Sequence, residues 1–263
     1  MVIGFIGLGN MATAIISGML QKKLVLCNEI IGAAKTKETM TKCENEYGIK
    51  TADNITVAKN ADILFLAVKP VYLPEVIEQI KDHVSEDTIV ISIVAGKTME
   101  YIEELFGRKV KLIRCMPNTP AMVLEGCTAV VQSKMVSDGE MEQVRKLLSS
   151  FGTVNEVPEK MMDVVVGVSG SSPAYVFMFI EAMADGAVLA GMPRKQAYQM
   201  AAQAVLGSAK MVLETGKHPG ELKDMVCSPG GTTIEALKVL EEMGFRSAII
   251  DAMEACINKS KIL

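Results

Sequence analysis

The chain has 263 residues, 49% of them hydrophobic, which is enough to bury the core of one large domain or two modest ones and too apolar for disorder. Its 27 basic and 31 acidic side chains are spread along the sequence and leave a formal net charge of -4, so no basic stripe points to nucleic acid and no lysine-rich face to a membrane. Cys27, Cys43, Cys115, Cys127, Cys227 and Cys256 form no C-x-x-C pair and only His83 and His218 could join them as nitrogen ligands, so no metal site is expected and the scattered thiols fit a reducing cytoplasm.

The sequence opens directly on the apolar run 2–6, with neither a basic leader nor a small-residue cleavage site, so secretion is not expected. From there to about residue 156, short β-branched runs alternate with helical patterns, the signature of βαβ units and a parallel sheet. Strands are expected at 2–6, 29–33, 63–67, 88–93 and 110–115, with weaker ones at 128–131 and 153–156. Helical patterns fill 11–20, 37–47, 73–83, 101–106 and 138–151.

After Pro158 the β-branched runs fade and Ala, Met and Leu dominate, with helix periodicity over 174–190, 194–215 and 234–259. Gly191 and Pro193-Arg194 read as a helix stop followed by a start, and His218-Pro219-Gly220 as another corner. The uncharged stretch 164–180 falls short of the ~20 apolar residues a membrane span needs and reads as the entry of a buried helix. Met178, Met183, Met200 and Met211 suit adaptable packing in a core or interface better than a ligand box. So apolar a helical half is expected to bury a face against a second copy, giving at least a homodimer.

Gly7-x-Gly9-x-x-Ala12 follows the first strand and opens a helix, the context a dinucleotide fingerprint requires. Gly7 makes the tight turn, Gly9 lets the backbone approach a pyrophosphate, and Ala12 keeps helix and strand close. The fold class that results is α/β: a doubly wound Rossmann-type domain over 1–158, followed by an all-α substrate-binding and dimerisation domain over 159–263. An NAD-specific site places a carboxylate at the end of the second strand, about 20 residues past the glycines. Glu29 stands at the wrong end of that strand, and the right end carries Ala33, Ala34, Lys35, Thr36 and Lys37. No carboxylate there repels a 2′-phosphate and two cations can attract one, which favours NADP(H); a solvated loop is the other reading of Lys35 and Lys37. Ala67-Val68-Lys69-Pro70 and Val94-Ala95-Gly96 end the fourth and fifth strands, where the crevice of an open α/β sheet lies.

Ser228-Pro229-Gly230-Gly231-Thr232-Thr233 interrupts two apolar helical stretches. The glycines permit positive φ and close approach, and the threonines can cap a helix starting at Ile234. Such a helix N-terminus suits a carboxylate; an ordinary helix corner is the alternative.

The opening Gly4-Phe5-Ile6-Gly7-Leu8-Gly9-Asn10-Met11 is shared in kind with β-hydroxyacid dehydrogenases, which oxidise an alcohol and need a lysine base on the first helix of the second domain. That lysine would fall near Val176, and the next lysine is Lys195. Ser169-Gly170-Ser171-Ser172-Pro173-Ala174-Tyr175 instead resembles the corresponding turn of the pyrroline-5-carboxylate reductase family, departing from it in Ser172, where that family usually has glycine. Arg114-Cys115-Met116-Pro117-Asn118-Thr119-Pro120, the run from Asp224 to Leu237, and Gly244-Phe245-Arg246-Ser247 resemble the same family in order and spacing.

The resemblance implies reduction of the cyclic imine of pyrroline-5-carboxylate to L-proline, with hydride from NADPH, or from NADH, arriving at C5. It implies a cofactor held by Gly7, Leu8, Gly9, Asn10, Met11, Ala34, Lys35, Asn54 after the third strand, Ala67, Val68, Lys69, Pro70, Ala95, Gly96 and Asn118. It implies a substrate held by Ser171, Val226, Gly231, Thr232 and Thr233, with Thr233 nearest the ring nitrogen and so the catalytic candidate. Ser171 has a second reading, as the N-cap of the helix that starts at Pro173. An imine nitrogen can take its proton from solvent or a hydroxyl, so no dedicated acid is required, and positioning in a dry site carries the catalysis. Proteins of the family form interlocked dimers that can assemble into larger rings. An NADP-dependent β-hydroxyacid dehydrogenase and a non-catalytic NADP-binding redox sensor remain the competing readings.

Overall fold

In the computed structural model, which describes residues 1–262, the chain falls into two units: Met1–Ser171 joined by the stretch from Cys256 onward, and Ser172–Ala255. In the first, strands β1 (Ile3–Ile6), β2 (Ile30–Ala33), β3 (Lys50–Thr51), β4 (Ile63–Leu66), β5 (Ile89–Ser92), β6 (Lys111–Met116), β7 (Gly126–Gln132) and β8 (Gly152–Glu156) form one 8-stranded sheet. Its order is β3-β2-β1-β4-β5-β6-β7-β8, and the first six strands are parallel, in the doubly wound order that puts ligand crevices at the carboxyl edge.

The pattern of parallel strands expected from the sequence stops at β6. β7 runs antiparallel to β6, and β8 runs parallel to β7, so the last two strands are reversed. The link from β6 to β7 carries only the short 3-10 turn Thr119–Val123, too little chain for a crossover helix, so the strand must fold straight back. β3, with two residues and no apolar run, lies outside the strands expected from the sequence, as does helix α3 below among the helices.

Strand parity explains how both faces of the sheet become core. Ile3, Phe5, Ile63, Phe65, Ile89 and Ile91 project into one buried cluster, and Ile6, Leu64, Leu66, Val90 and Leu112 into the other. Phe5 and Phe65 are register partners on adjacent strands and stack with ring centroids 4.6 Å apart. Helices α1 (Asn10–Gln21), α2 (Lys37–Tyr47) and α6 (Asp138–Leu148) supply the first cluster with Ile15, Cys43 and Leu148. Helices α3 (Asn54–Asn60), α4 (Leu73–Ile80) and α5 (Met99–Phe106) supply the second with Val57, Ile77 and Phe106. Because central strands are covered on both sides, they read as unbroken apolar runs, which is why the sequence announces them so clearly.

A short helix α7 (Met162–Val165) leads into a π turn, Val166–Gly170, closed by the Ser171 N–H donating to the Val166 carbonyl at 2.8 Å. The second unit is entirely helical: α8 (Ser172–Leu189), α9 (Arg194–Thr215), α10 (Pro219–Val226), α11 (Thr232–Glu242) and α12 (Phe245–Ser260), whose end from Cys256 counts with the first unit. The corner expected at His218-Pro219-Gly220 opens α10, and the helix expected over 234–259 is two helices. Gly244, at φ 72, is the left-handed break between α11 and α12.

Of the stretch expected to be a buried helix entry, only Gly167 is buried in the chain by itself; 164–175 is mostly half-buried and 176–179 is exposed. The helical run Glu159–Leu189 has 31 residues and is long and apolar enough, by length and composition, to cross a membrane, more than the 164–180 stretch suggested. Ala184 is the buried residue of α8, whereas Phe177 and Met178 are 62% and 72% exposed. Apolar composition predicts burial correctly only when the covering surface lies in the same chain.

Candidate active site

Gly7 sits where β1 ends, at φ 99, a conformation costly for any side chain. A Cβ there would lie 2.4 Å from the Ala67 carbonyl oxygen, because the loop leaving β4 is drawn against the turn by the Ala67 N–H donating to the Ile6 carbonyl at 2.8 Å. On the other side the Gly7 N–H donates to the Ala33 carbonyl at 2.9 Å, tying in the end of β2. Leu8 is buried, and Ala12 packs inside as the spacing required.

Gly9 differs in kind. It is the N-cap of α1, no side chain caps that helix, and no acid stands in its first turn. A Cβ at Gly9 would meet nothing within 4 Å, so the space over the helix start is open. The first bond of the helix runs from the Thr13 N–H to the Gly9 carbonyl at 3.0 Å, leaving the N–H groups of Asn10, Met11 and Ala12 ahead of it. An uncapped N-terminus under open space fits a pyrophosphate.

Around this turn the ends of β2, β4 and β5 bring the other cofactor candidates to one edge. Ala34 is half-buried past β2, Lys35 is exposed, and Thr36 caps α2 by accepting the Thr39 N–H at 3.3 Å. The Lys35 ammonium lies 4.8 Å from the centroid of the Tyr72 ring. Glu29 is confirmed at the far end of β2, where it accepts the Leu26 N–H at 2.8 Å. Val68, Lys69 and Pro70 lead into the 3-10 turn Pro70–Tyr72, in which the Tyr72 N–H donates to the Lys69 carbonyl at 2.9 Å. Ala95 and Gly96, the latter at φ 70, form the loop after β5. Asn54, one residue past the Asp53 cap of α3, donates its amide to Gln79 at 2.8 Å.

Asn118 is buried and its amide is committed: Nδ2 donates to the Ser169 carbonyl at 3.0 Å and Oδ1 accepts the Cys127 N–H at 2.8 Å. It thereby ties the end of β6 to the π turn. Ser171 does not start a helix, since α7, the π turn and α8 follow one another and leave no free helix N-terminus at Pro173. Its hydroxyl accepts from the Cys256 thiol at 3.2 Å.

In the helical unit, α11 begins at Thr232 with Gly231 as N-cap, so the threonines are not caps on an Ile234 helix but the first two residues of the helix itself. Gly230, at φ 66, makes the turn, and the Gly231 N–H closes it onto the Ser228 carbonyl at 3.0 Å. That N–H is therefore engaged, and a Cβ at Gly231 would lie 2.5 Å from the Ser228 hydroxyl oxygen. No side chain caps α11, which leaves the N–H groups of Thr232 and Thr233 at an open terminus with both hydroxyls beside them. Val226 ends α10 just before this turn, 65% exposed.

Two residues of unit one escaped the sequence reading as site candidates, Tyr72 and Glu159. Glu159 pairs with Arg114, 4% exposed in the middle of β6. The available signal was Arg114 itself, because a cation inside an apolar strand demands a buried partner.

A glycine turn feeding an uncapped helix, with loops from two neighbouring parallel strands at the same edge, is the cofactor half of a nicotinamide-dependent oxidoreductase. Residues 2–96 match the family described as NADP oxidoreductase, coenzyme F420-dependent, and residues 159–263 match pyrroline-5-carboxylate reductase dimerisation. The pyrroline-5-carboxylate reductase of Escherichia coli (strain K12) is 52% identical over 262 residues, covering 99% of this chain and 97% of that protein. Among solved structures, the reductase from Coxiella burnetii superposes with a TM-score of 0.91 at 35% identity, covering 98% of this chain and 97% of the other. The Plasmodium falciparum enzyme, solved with NADP bound, gives 0.91 at 32% identity, with 99% and 97% covered. The chain belongs to the pyrroline-5-carboxylate reductase family, and its reaction is the NAD(P)H-dependent reduction of 1-pyrroline-5-carboxylate to L-proline.

Proposed function

We propose that NADPH is the preferred reductant of this enzyme and that the start of α11 grips the substrate carboxylate. Bound at the edge of β1, β2, β4 and β5, the nicotinamide supplies the hydride. The residues there fit such a group: Gly9 leaves open the space a dinucleotide needs, and Asn10, Met11 and Ala12 present helix-start N–H groups to its phosphates. No carboxylate stands at the end of β2, and Lys35 lies where a 2′-phosphate would be received.

The observation that carries the substrate assignment is the uncapped terminus of α11. The N–H groups of Thr232 and Thr233 donate to a carboxylate there, and the Thr233 hydroxyl hydrogen-bonds the ring nitrogen, where the proton of the product amine must arrive. Gly231 contributes close backbone approach, and Ser171 and Val226 are the remaining substrate-binding candidates. No other acid is needed, so the work of these residues is to orient the imine and exclude water. The experiment is consumption of NADPH by the purified protein with and without pyrroline-5-carboxylate, repeated with NADH. No oxidation on adding the imine, with cofactor binding intact, would overturn the assignment.

The exposed apolar surface of α8 to α12 supports a homodimer as the working unit, on which larger rings can be built. All six cysteines are free thiols, which supports a cytoplasmic site of action.

A further inference from the structure

Lys35 and Tyr72 come from loops that are not neighbours in the sheet. Lys35 follows β2 and Tyr72 follows β4, and the strand between them is β1. A contact between the two side chains must therefore pass over the carboxyl end of β1, where Gly7, Gly9 and the start of α1 form the phosphate-binding turn. The ammonium sits 4.8 Å from the ring centroid, within the range of a cation–π interaction.

Tyr72 is held in place to serve as that platform. It closes the 3-10 turn Pro70–Tyr72 by donating its N–H to the Lys69 carbonyl, and the next residue, Leu73, is fully buried as the first residue of α4. Tyr72 is 40% exposed, so its side chain is not spent on the core. Lys35 forms no ion pair among the described residues, and a lysine on an exposed loop loses up to about 2 kcal/mol of rotamer freedom when a ligand fixes it.

We propose that Tyr72 is a positioning residue for cofactor discrimination: its ring holds the Lys35 ammonium across the phosphate-binding turn, so that a 2′-phosphate meets a cation already in place. The proposal rests on the NADPH reading above. NADH, lacking that phosphate, gains nothing from the arrangement, so Tyr72 affects the ratio of the two affinities and not the binding of nicotinamide cofactors in general.

The test is titration of the full-length protein with NADPH and with NADH, for the wild type, Tyr72→Leu, Tyr72→Phe, Lys35→Met and the Tyr72→Leu/Lys35→Met pair. Tyr72→Leu is expected to weaken NADPH about two- to fivefold and to leave NADH unchanged. Tyr72→Phe, which keeps the ring face, retains the wild-type ratio, and in the Lys35→Met background Tyr72→Leu changes nothing further. Because the ring is partly exposed, its loss opens no core cavity and the variants fold. Equal weakening of both cofactors by Tyr72→Leu, or full additivity in the double variant, would overturn the proposal alone. A wild type that binds both cofactors equally would overturn the NADPH reading and the proposal with it.

Discussion

Arg114 and Glu159 form a pair at 3.1 Å that closes the middle of β6 against the first residue after Pro158, and the same Glu159 oxygen accepts the Met99 N–H at 2.7 Å. One carboxylate oxygen thus holds a buried cation and the start of α5, the helix that follows the Ala95-Gly96 loop. The Arg114 Nε has no partner among the described residues, so the guanidinium depends on this contact. Glu159→Gln, which keeps an acceptor and removes the charge, is expected to lower stability by about 1–3 kcal/mol. Equilibrium denaturation should show a lower midpoint at unchanged slope, and Glu159→Ala should lose more, because the Met99 N–H then loses its acceptor too.

Gly7 and Gly9 should respond oppositely to the same substitution. Gly7→Ala places a methyl 2.4 Å from the Ala67 oxygen at φ 99, and should cost at least about 1–3 kcal/mol of stability. Gly9→Ala meets nothing within 4 Å and should leave thermal unfolding unchanged while weakening NADPH binding, because its methyl fills the space above α1. Unfolding curves and cofactor titrations on the two variants separate the effects.

Thr233→Val keeps the shape of the side chain and removes its hydroxyl. Loss of a hydrogen bond to the neutral imine nitrogen predicts a fall in kcat/KM for pyrroline-5-carboxylate of about two- to tenfold. Affinity for NADPH should not move, and steady-state kinetics beside a cofactor titration will show whether the two readouts separate.

The Lys111 ammonium, at 2.7 Å, and next the Ser137 N–H hold the Glu140 carboxyl at about 2, below its ordinary 4.5. A carboxylate depressed by folding stabilises the protein fully above its unfolded value and loses that contribution as pH falls through the folded one. The wild type should therefore lose stability between about pH 4.5 and about 2 through this group, and Glu140→Gln should flatten that part of the acid limb. Urea midpoints measured across that window provide the comparison.

Phe177 projects from α8 with 62% of its surface exposed in the single chain. If that face pairs copies of the chain, Phe177→Asp should convert the dimer to a monomer by sedimentation while NADPH binding in the first unit survives. A dimer that resists the charge would place the interface elsewhere on the helical unit.

Much of this was legible in the residues, and the exceptions share a cause. Ile3–Ile6, Ile63–Leu66 and Ile89–Ser92 declare themselves because burial on both faces leaves no polar position to blur them. Lys50–Thr51 pairs only at the sheet edge and carries no apolar run, so its identity comes from its neighbour β2. The break at Gly244 has the same character: helix periodicity continues on both sides of it, and only the backbone conformation marks the end of α11. At the turn before α11, the glycines pointed to an open helix start, but Thr232 and Thr233 looked like caps because threonine serves both inside and before a first turn. Tyr72 could not be foreseen from spacing, since its partner Lys35 lies on another loop and meets it only through the order of the strands.

The π turn at Val166–Gly170 has a consequence for how this protein can change over time. An α-helix advances each side chain by about 100° per residue, so a turn that absorbs one extra residue resets the phase of everything beyond it. Deleting a single residue from 166–170 would let the helix run through as regular α and swing Ser171 away from Cys256, while the sheet before it stayed as it is. The phase of the side chains along the helix that follows is thus governed by one insertion, a setting that an ancestor could have altered in a single step.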